Sequence, residues 1–405
     1  MTDPQPDDGR PGSVFLIFLR LGLTSFGGPI AHLGYFREEF VTKRHWVSER
    51  GYADLVALCQ FLPGPASSQV GMALGLYRSG YAGALAAWAG FTLPSALILI
   101  LLALSISNQG DVISPDVLQG LKVVAVAVVA QAVWGMARNL CPDVLRITIM
   151  TFSTCLVLLA PSALGQVATI AAAGFAGLLL FKPPQDNLHD RLPITVSQRA
   201  GVLWLTLFLV LLVGLPTLAQ LVPSRGVAMV DAFFRAGSLV FGGGHVVLPL
   251  LQAAVVPSGW VGNEAFLAGY GAAQAVPGPL FTFASFLGAS MSTTPTGWSG
   301  GVLCLLAIFA PSFLLVMGTL PFWEELRRNT RMQAALAGVN AAVVGLLLAA
   351  LYQPVWTSAI HRPQDFGLAL LALVALMFWK LPPWVVVVAS GAAGWILNVA
   401  LSVAP

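Results

Sequence analysis

Cys59-Gln-Phe-Leu-Pro-Gly-Pro-Ala-Ser-Ser-Gln69 sets two prolines and a glycine in the middle of an apolar stretch, 52–76, that otherwise reads as one helix. Pro63 and Pro65 lack amide protons and Gly64 is a poor helix former, so the helix stops there and restarts at Ala66. In water such a break is cheap. In hydrocarbon each unpaired backbone group costs several kcal/mol, roughly, unless protein or a water-filled cavity surrounds it. The same string returns downstream: Trp46-Val47, Gln60 and Pro63-Gly64-Pro65 recur as Trp260-Val261, Gln274 and Pro277-Gly278-Pro279, all 214 residues later. A break that costly, present twice at one offset, points to a shared purpose.

Outward from these strings the repeat continues. Arg20-Leu-Gly22 with Ser25-Phe-Gly-Gly28 returns as Arg235-Ala-Gly237 with Val240-Phe-Gly-Gly243, and Pro94-Ser95 returns as Pro311-Ser312. Apolar segments lie near 14–35, 52–76, 83–105, 116–137, 144–160 and 163–181, then a lone one near 200–222, then near 227–250, 264–291, 298–320, 333–352, 364–379 and 383–402. This six, one, six pattern predicts a tail at 1–13, a first repeat at 14–181, a polar linker at 182–198, a connecting helix at 199–222 and a second repeat at 223–405. The tail carries Asp3, Asp7 and Asp8 where a signal peptide needs positive charge, so the first apolar stretch is read as retained.

Composition agrees with a bilayer setting. Of 405 residues only 9% are charged while 57% are hydrophobic, and the mean hydropathy is +0.82. Soluble domains carry about 25% charge. At about 20 apolar residues per crossing the chain is filled by spanning or broken helices, with no room for a large soluble domain. A net charge of +3 excludes a nucleic-acid footprint. The four cysteines, Cys59, Cys141, Cys155 and Cys304, have no metal or disulfide spacing and are read as small core residues. Tryptophans 46, 260, 298, 323, 356 and 384 fall near segment ends and are read as interface anchors.

Loop charges set an orientation. Arg37, Lys43, Arg44 and Arg50 crowd the loop after the first segment, whereas its counterpart at 257–263 has no Lys or Arg. Further along the bias reverses: 106–116 has none and its counterpart carries Arg327, Arg328 and Arg331. Equivalent loops facing opposite sides predict an all-α polytopic membrane protein of two inverted-topology repeats, each of about six helical segments, joined by one extra helix. An odd number of crossings is needed between 36–51 and 106–116. Hence 52–76, and also 14–40 with its Gly27-Gly28-Pro29 break, read either as hairpins entering part-way or as broken spanning helices. Both readings leave the N-terminus cytoplasmic and the C-terminus outside.

Paired interrupted helices are the sequence mark of a transporter binding site, and a helix N-terminus favours an anion. The candidate substrate shell is Arg20, Ser25, Gly27, Gly28, Gln60, Pro63, Gly64, Pro65, Ser67 and Ser68 in the first repeat. In the second it is Arg235, Gly242, Gly243, Gly244, Gln274, Pro277, Gly278, Pro279 and Thr282. The breaks supply backbone N–H groups, Ser67, Ser68 and Thr282 hydroxyls, and Gln60 and Gln274 amides. An arginine fork can clasp an oxyanion, although snorkelling or a structural carboxylate partner is the plain alternative for Arg20 and Arg235. His32, His245, Asp54 and Glu38 are candidates for proton coupling, with ordinary structural roles as the alternative. Lys122 is read as snorkelling. No Walker, His-Glu-x-x-His or Gly-x-Ser-x-Gly string occurs, so neither an enzyme nor a metal or cofactor site is expected.

Phe18-Leu-Arg-Leu-Gly22, Ser25-Phe-Gly-Gly-Pro29, Tyr52-Ala-Asp-Leu-Val56, Cys59 to Gln69, Gly90-Phe-Thr-Leu-Pro-Ser95, Phe241-Gly-Gly-Gly-His-Val-Val-Leu-Pro249 and Gly269-Tyr-Gly-Ala-Ala-Gln-Ala-Val-Pro-Gly-Pro279 resemble the chromate ion transporter family in its long, two-domain form. The resemblance implies multi-pass residence in a bacterial inner membrane and chromate export, driven by membrane potential or a proton gradient, giving chromate resistance. Sulfate, a competitor of the same shape, or molybdate is the alternative substrate, and a passive anion channel the alternative class. A homodimer is left open.

Overall fold

The computed structural model describes residues 9–108, 115–182 and 196–403. Most of the 1–13 tail and the 182–198 linker lie outside them. Among the described residues the regular structure is helical, and six helices are long and apolar enough to cross a membrane.

The first half opens with two hairpins. Helix α1 (Pro11–Thr24) starts on a proline at its first turn, and α2 (Gly28–Arg37) runs on through a π turn to Lys43. The Phe18 ring stacks on Phe40 at 5.0 Å and meets Phe36 edge-on at 5.5 Å, so α2 folds back along α1. The second hairpin is α3 (Glu49–Phe61), capped by Ser48 Oγ accepting from the Gly51 N–H at 3.0 Å, and the opening turns of α4 (Ala66–Asn108). Helix α4 bends sharply at Ser79-Gly80. Its first part folds back on its second, Gly75 lying against the Gly83 carbonyl. The part after the bend is about 40 Å long at 1.5 Å per residue, enough for a full crossing. Helices α5 (Pro115–Leu140), α6 (Val144–Leu159), α7 (Ala163–Leu180) and the lone α8 (Gln198–Leu221) follow.

The second half repeats the plan with α9 (Arg225–Leu239), a short turn leading into α10 (Val247–Val255), α11 (Asn263–Ala273), a short turn leading into α12 (Phe283–Ala289), and α13 (Gly297–Thr319). After α14 (Trp323–Arg328) come α15 (Thr330–Ala350), with a π turn to Trp356, then α16 (Thr357–Ala359), α17 (Pro363–Met377) and α18 (Pro383–Val403). Close approaches recur at equivalent places. Gly22 sits on the Phe91 carbonyl and Gly237 on the Ile308 carbonyl, while the Gly75–Gly83 contact returns as Gly288–Gly300.

The halves are interleaved rather than side by side. Helix α5 packs on α17 and α18 of the other half, and α15 on α6 and α7. Two of these crossings, α5 on α18 and α15 on α7, are closed by glycine, Gly120 against Gly394 and Gly338 against Gly177, which lets backbones touch where apolar side chains gain nothing over lipid. The outer part of α4 runs antiparallel to α13: Trp88 meets Phe309 at 5.8 Å, Ile100 meets Gly301, and Leu104 faces Gly297. Helix α8 lies outside, on α9 and α13, and exposes Val202, Leu203, Leu209, Val210 and Val213.

Two sequence expectations fail on burial. Trp46 and Trp323 are core residues, Trp46 packed on Phe40 at 4.6 Å and Trp323 on Phe61 at 5.7 Å, because the loops beside them fold inward. Cys155 is exposed on α6, while Cys59, Cys141 and Cys304 are buried as expected.

Candidate functional site

All four breaks converge, and they dock crosswise. The Gly64 N–H donates to the Val240 carbonyl at 2.7 Å, and the Gly278 N–H donates to the Ser25 carbonyl at 2.9 Å. Ser25 and Val240 hold the same place in their halves, so each Pro-Gly-Pro is tied to the Gly-rich break of the other. A second reciprocal pair brings in the proline-serine steps of the long helices: Gly64 lies against Ser312 Oγ, and Gly278 against Ser95 Oγ. Both glycines have positive φ, 122° and 99°, and a Cβ at either would overlap the hydroxyl. Here glycine is required by conformation and by space.

These bonds change which donors remain. The sequence reading assigns the break amides to an anion; Gly64 and Gly278 instead spend theirs on the contact between halves, which is cheaper than leaving a carbonyl unpaired at that depth. What stays free lies one turn on. The Gln69 N–H donates to the Pro65 carbonyl at 3.0 Å, and the amides of Ala66, Ser67 and Ser68 form the unsatisfied first turn of α4. Gln69 Nε2 donates to the Pro63 carbonyl at 2.7 Å, and His32 Nδ1 lies 3.4 Å from Ser67 Oγ. Ser25 Oγ, His32 Nε2, Ser68 Oγ, Gln69 Oε1, Thr92 Oγ1 and Ser312 Oγ are buried without a partner. Buried polar atoms are nearly always paired, so six orphans on the segments that meet here mark a place suited to a polar ligand.

Of the other predicted residues, Gly244 packs between Pro29 and Leu280, and Gly242 faces Leu140, Met136 and Asn340. Thr282 Oγ1 donates to the Pro279 carbonyl at 2.8 Å. Gln274 has a buried, unpaired Nε2. Arg20 and Gln60 are exposed, as is Gly27. Arg235 pairs with buried Asp231 at 2.6 Å, one turn earlier on α9. The structural-carboxylate alternative for Arg235 is therefore present, and the i, i+4 spacing is a signal that sequence reasoning passed over.

The coupling candidates separate. His245 Nδ1 and the Tyr270 hydroxyl are 2.9 Å apart, whereas Glu38 is exposed, 3.7 Å from Lys43. Asp54 pairs with Arg327 at 2.9 Å, both side chains under a tenth exposed, and Arg327 also holds Glu324 at 2.5 Å. That network joins α3 to α14 and brings the two arginine-rich loops to one end of the molecule. Lys122 is buried and lies 3.5 Å from Glu264. Beside the first loop Arg37 donates to Glu49 at 2.6 Å, which holds the Glu49 carboxyl below its ordinary range. Gln69, Thr92, Ser312, Asp231, Tyr270 and Arg327 were not among the expected site residues, although Ser312 stood out as the repeat of Ser95 and Arg327 as a loop charge. A polar cleft of about 260 Å³ between Asp116, Gln119, His361 and Asp365 stands apart from the breaks.

A duplicated set of apolar helices, with costly breaks brought together inside the fold, defines a multi-pass membrane transporter. The chain belongs to the chromate transporter family: the model described as Chromate transporter matches twice, over residues 12–178 and 227–395. Along nearly its whole length it is 30% identical to the chromate transport protein of Pseudomonas aeruginosa (98% of this chain, 94% of that one). It is 27% identical to the chromate transport protein of Cupriavidus metallidurans (93% and 92%) and 27% identical to a probable chromate transport protein of Synechococcus elongatus (92% of each). No solved structure matches it.

Proposed function

We propose that the protein is a secondary transporter that exports chromate across the bacterial inner membrane, driven by the membrane potential or a proton gradient, and so confers chromate resistance. The observation that carries this reading is the crosswise docking of four broken helices in a chain whose relatives in two bacteria are named chromate transport proteins. Chromate is a tetrahedral dianion, and the junction offers hydroxyl and first-turn amide donors at its scale. Moving two negative charges outward gains about 2.3 kcal/mol per charge per 100 mV of inside-negative potential.

The two halves are proposed to have inverted topology. The antiparallel run of α4 and α13 supports this, as does the reversal of loop charge. The folded-back pairs α1–α2 and α3–α4 favour hairpins entering part-way over broken spanning helices. The Asp54–Arg327 pair gathers both arginine-rich loops on one side, which positive-inside bias makes cytoplasmic; the N-terminus is then cytoplasmic and the C-terminus periplasmic. Arg20 and Arg235 enter as long-range positive charge, and Arg20→Gln with Arg235→Gln, which remove the charge, tests that: full activity in both removes them from substrate handling.

The deciding experiment is chromate flux in proteoliposomes of fixed orientation, with potential and pH gradient imposed separately. Uptake against the chromate gradient under either driving force is expected. Flux that only ever runs downhill makes the protein a channel, and stronger competition by sulfate or molybdate than by unlabelled chromate reassigns the substrate.

A further inference from the structure

The two Pro-Gly-Pro junctions share a backbone plan but not a chemistry. At the second, each hydroxyl is spent on the break itself: Ser95 Oγ donates to the Pro277 carbonyl and Thr282 Oγ1 to the Pro279 carbonyl. Their equivalents at the first junction, Ser312 Oγ and Ser68 Oγ, are buried and have no partner. The surrounding positions diverge in the same sense. Ser25, His32, Ser67, Gln69 and Thr92 in the first half stand where the second half has Val240, Val247, Phe281, Phe283 and Phe309. All five of those apolar residues are buried, and the Phe281 and Phe309 rings meet at 5.7 Å.

Resting on the reading above, we propose that the chain carries one oxyanion site, not two, at the first junction, and that the second is a plugged pivot. Ser68 and Ser312 supply hydroxyl donors around the first turn of α4, and Ser67 acts through His32. Ser312 comes from the opposite half, so the site is complete only while the halves are docked. When His32 Nδ1 accepts from Ser67, the ring proton sits on Nε2, the unpartnered nitrogen, which is then a further donor. Gln69, with its amide on the Pro63 carbonyl, braces the break beside these donors. The ligand class is a tetrahedral dianion held by neutral donors, which selects by geometry and dehydration and needs no adjacent cation. At the second junction three phenylalanines offer no donor and, of the described residues there, only the Gln274 amide nitrogen stands unpartnered, so an anion there recovers little of its lost hydration.

The test is equilibrium binding of radiolabelled chromate to the purified full-length protein, with monodispersity and melting temperature recorded for each variant. The wild type is expected to bind one chromate per chain. Ser312→Ala and Ser68→Ala are each expected to weaken binding about ten- to hundredfold, the loss of a hydrogen bond to a charged group. Ser95→Ala, on the second junction, is expected to bind within about twofold of wild type. Two chromates per chain, or equal loss in Ser95→Ala and Ser312→Ala among variants that stay folded, overturns the one-site assignment. No chromate binding by folded wild type overturns the transport reading instead. Should Ser312→Ala fail to fold, Ser312→Thr keeps a hydroxyl while crowding Gly64; retained wild-type affinity in Ser68→Ala would then count against the proposal.

Discussion

Gly64 and Gly278 are the residues on which the interior turns. Each takes a φ that side chains avoid, each leaves no room for a Cβ, and each gives its amide to the opposite half. Gly64→Ala is expected to destabilise by about 2–5 kcal/mol, the sum of backbone strain and overlap with Ser312. Gly278→Ala should behave alike. Adding Ser312→Gly to Gly64→Ala should recover the overlap but not the strain, and melting temperatures in detergent measure both parts. Asp231 carries a different liability. Its buried carboxylate depends on Arg235, which is itself about two-fifths exposed. Arg235→Ala should therefore cost on the order of 1–3 kcal/mol, below the range for a fully buried pair. Asp231→Asn in the same chain should restore most of it, and melting temperature reads the recovery.

Helices meet in this protein through small residues. Where α5 crosses α18 and α15 crosses α7, glycine lets backbones approach, because apolar side chains have no hydrophobic reason to prefer each other over lipid. Gly338→Leu and Gly394→Leu should each force a helix pair apart and reduce the yield of folded protein, since overpacking costs about 1–3 kcal/mol and occasionally more. A leucine at Gly367, with open space around it, should be tolerated. Size-exclusion profiles of the three variants make the comparison. Breaks at Pro-Gly-Pro and the glycine-rich strings were readable because proline and glycine act through the local backbone. Which carbonyl each break would meet was not, since Val240 is 176 residues from Gly64 and carries no mark of its role.

Across the whole molecule, ion pairs tie distant segments together at opposite ends. Arg327 bonds Asp54 and Glu324 at one end, while Lys122 and Glu264 approach at the other, where Glu264 is largely exposed. The first pair is buried, so Arg327→Ala should destabilise by about 3–5 kcal/mol through the uncompensated Asp54 charge. Arg327→Ala with Asp54→Asn should be better folded than Arg327→Ala alone, as judged by thermal melting. Inverted topology predicts opposite exposure of equivalent turns. In a cysteine-free chain, His45→Cys and Arg328→Cys should react with a membrane-impermeant maleimide from the cytoplasmic side, and Ser292→Cys from the periplasmic side. Reaction of all three from one side removes the inversion.

Membrane residence, duplication, the connecting helix and the positions of the breaks were all present in the order of residues. Each rests on something local: apolar run length, a proline without its amide, a string that recurs at one offset. Burial of Trp46, the pairing of Arg327 with Asp54 and of Lys122 with Glu264, the crosswise bonds from Gly64 and Gly278, and which hydroxyls are spent at each junction came from packing. The physical reason is that hydropathy and propensity are sums over neighbours in the chain, whereas whether a serine is spent on a carbonyl or left facing an interior depends on groups brought together from opposite halves.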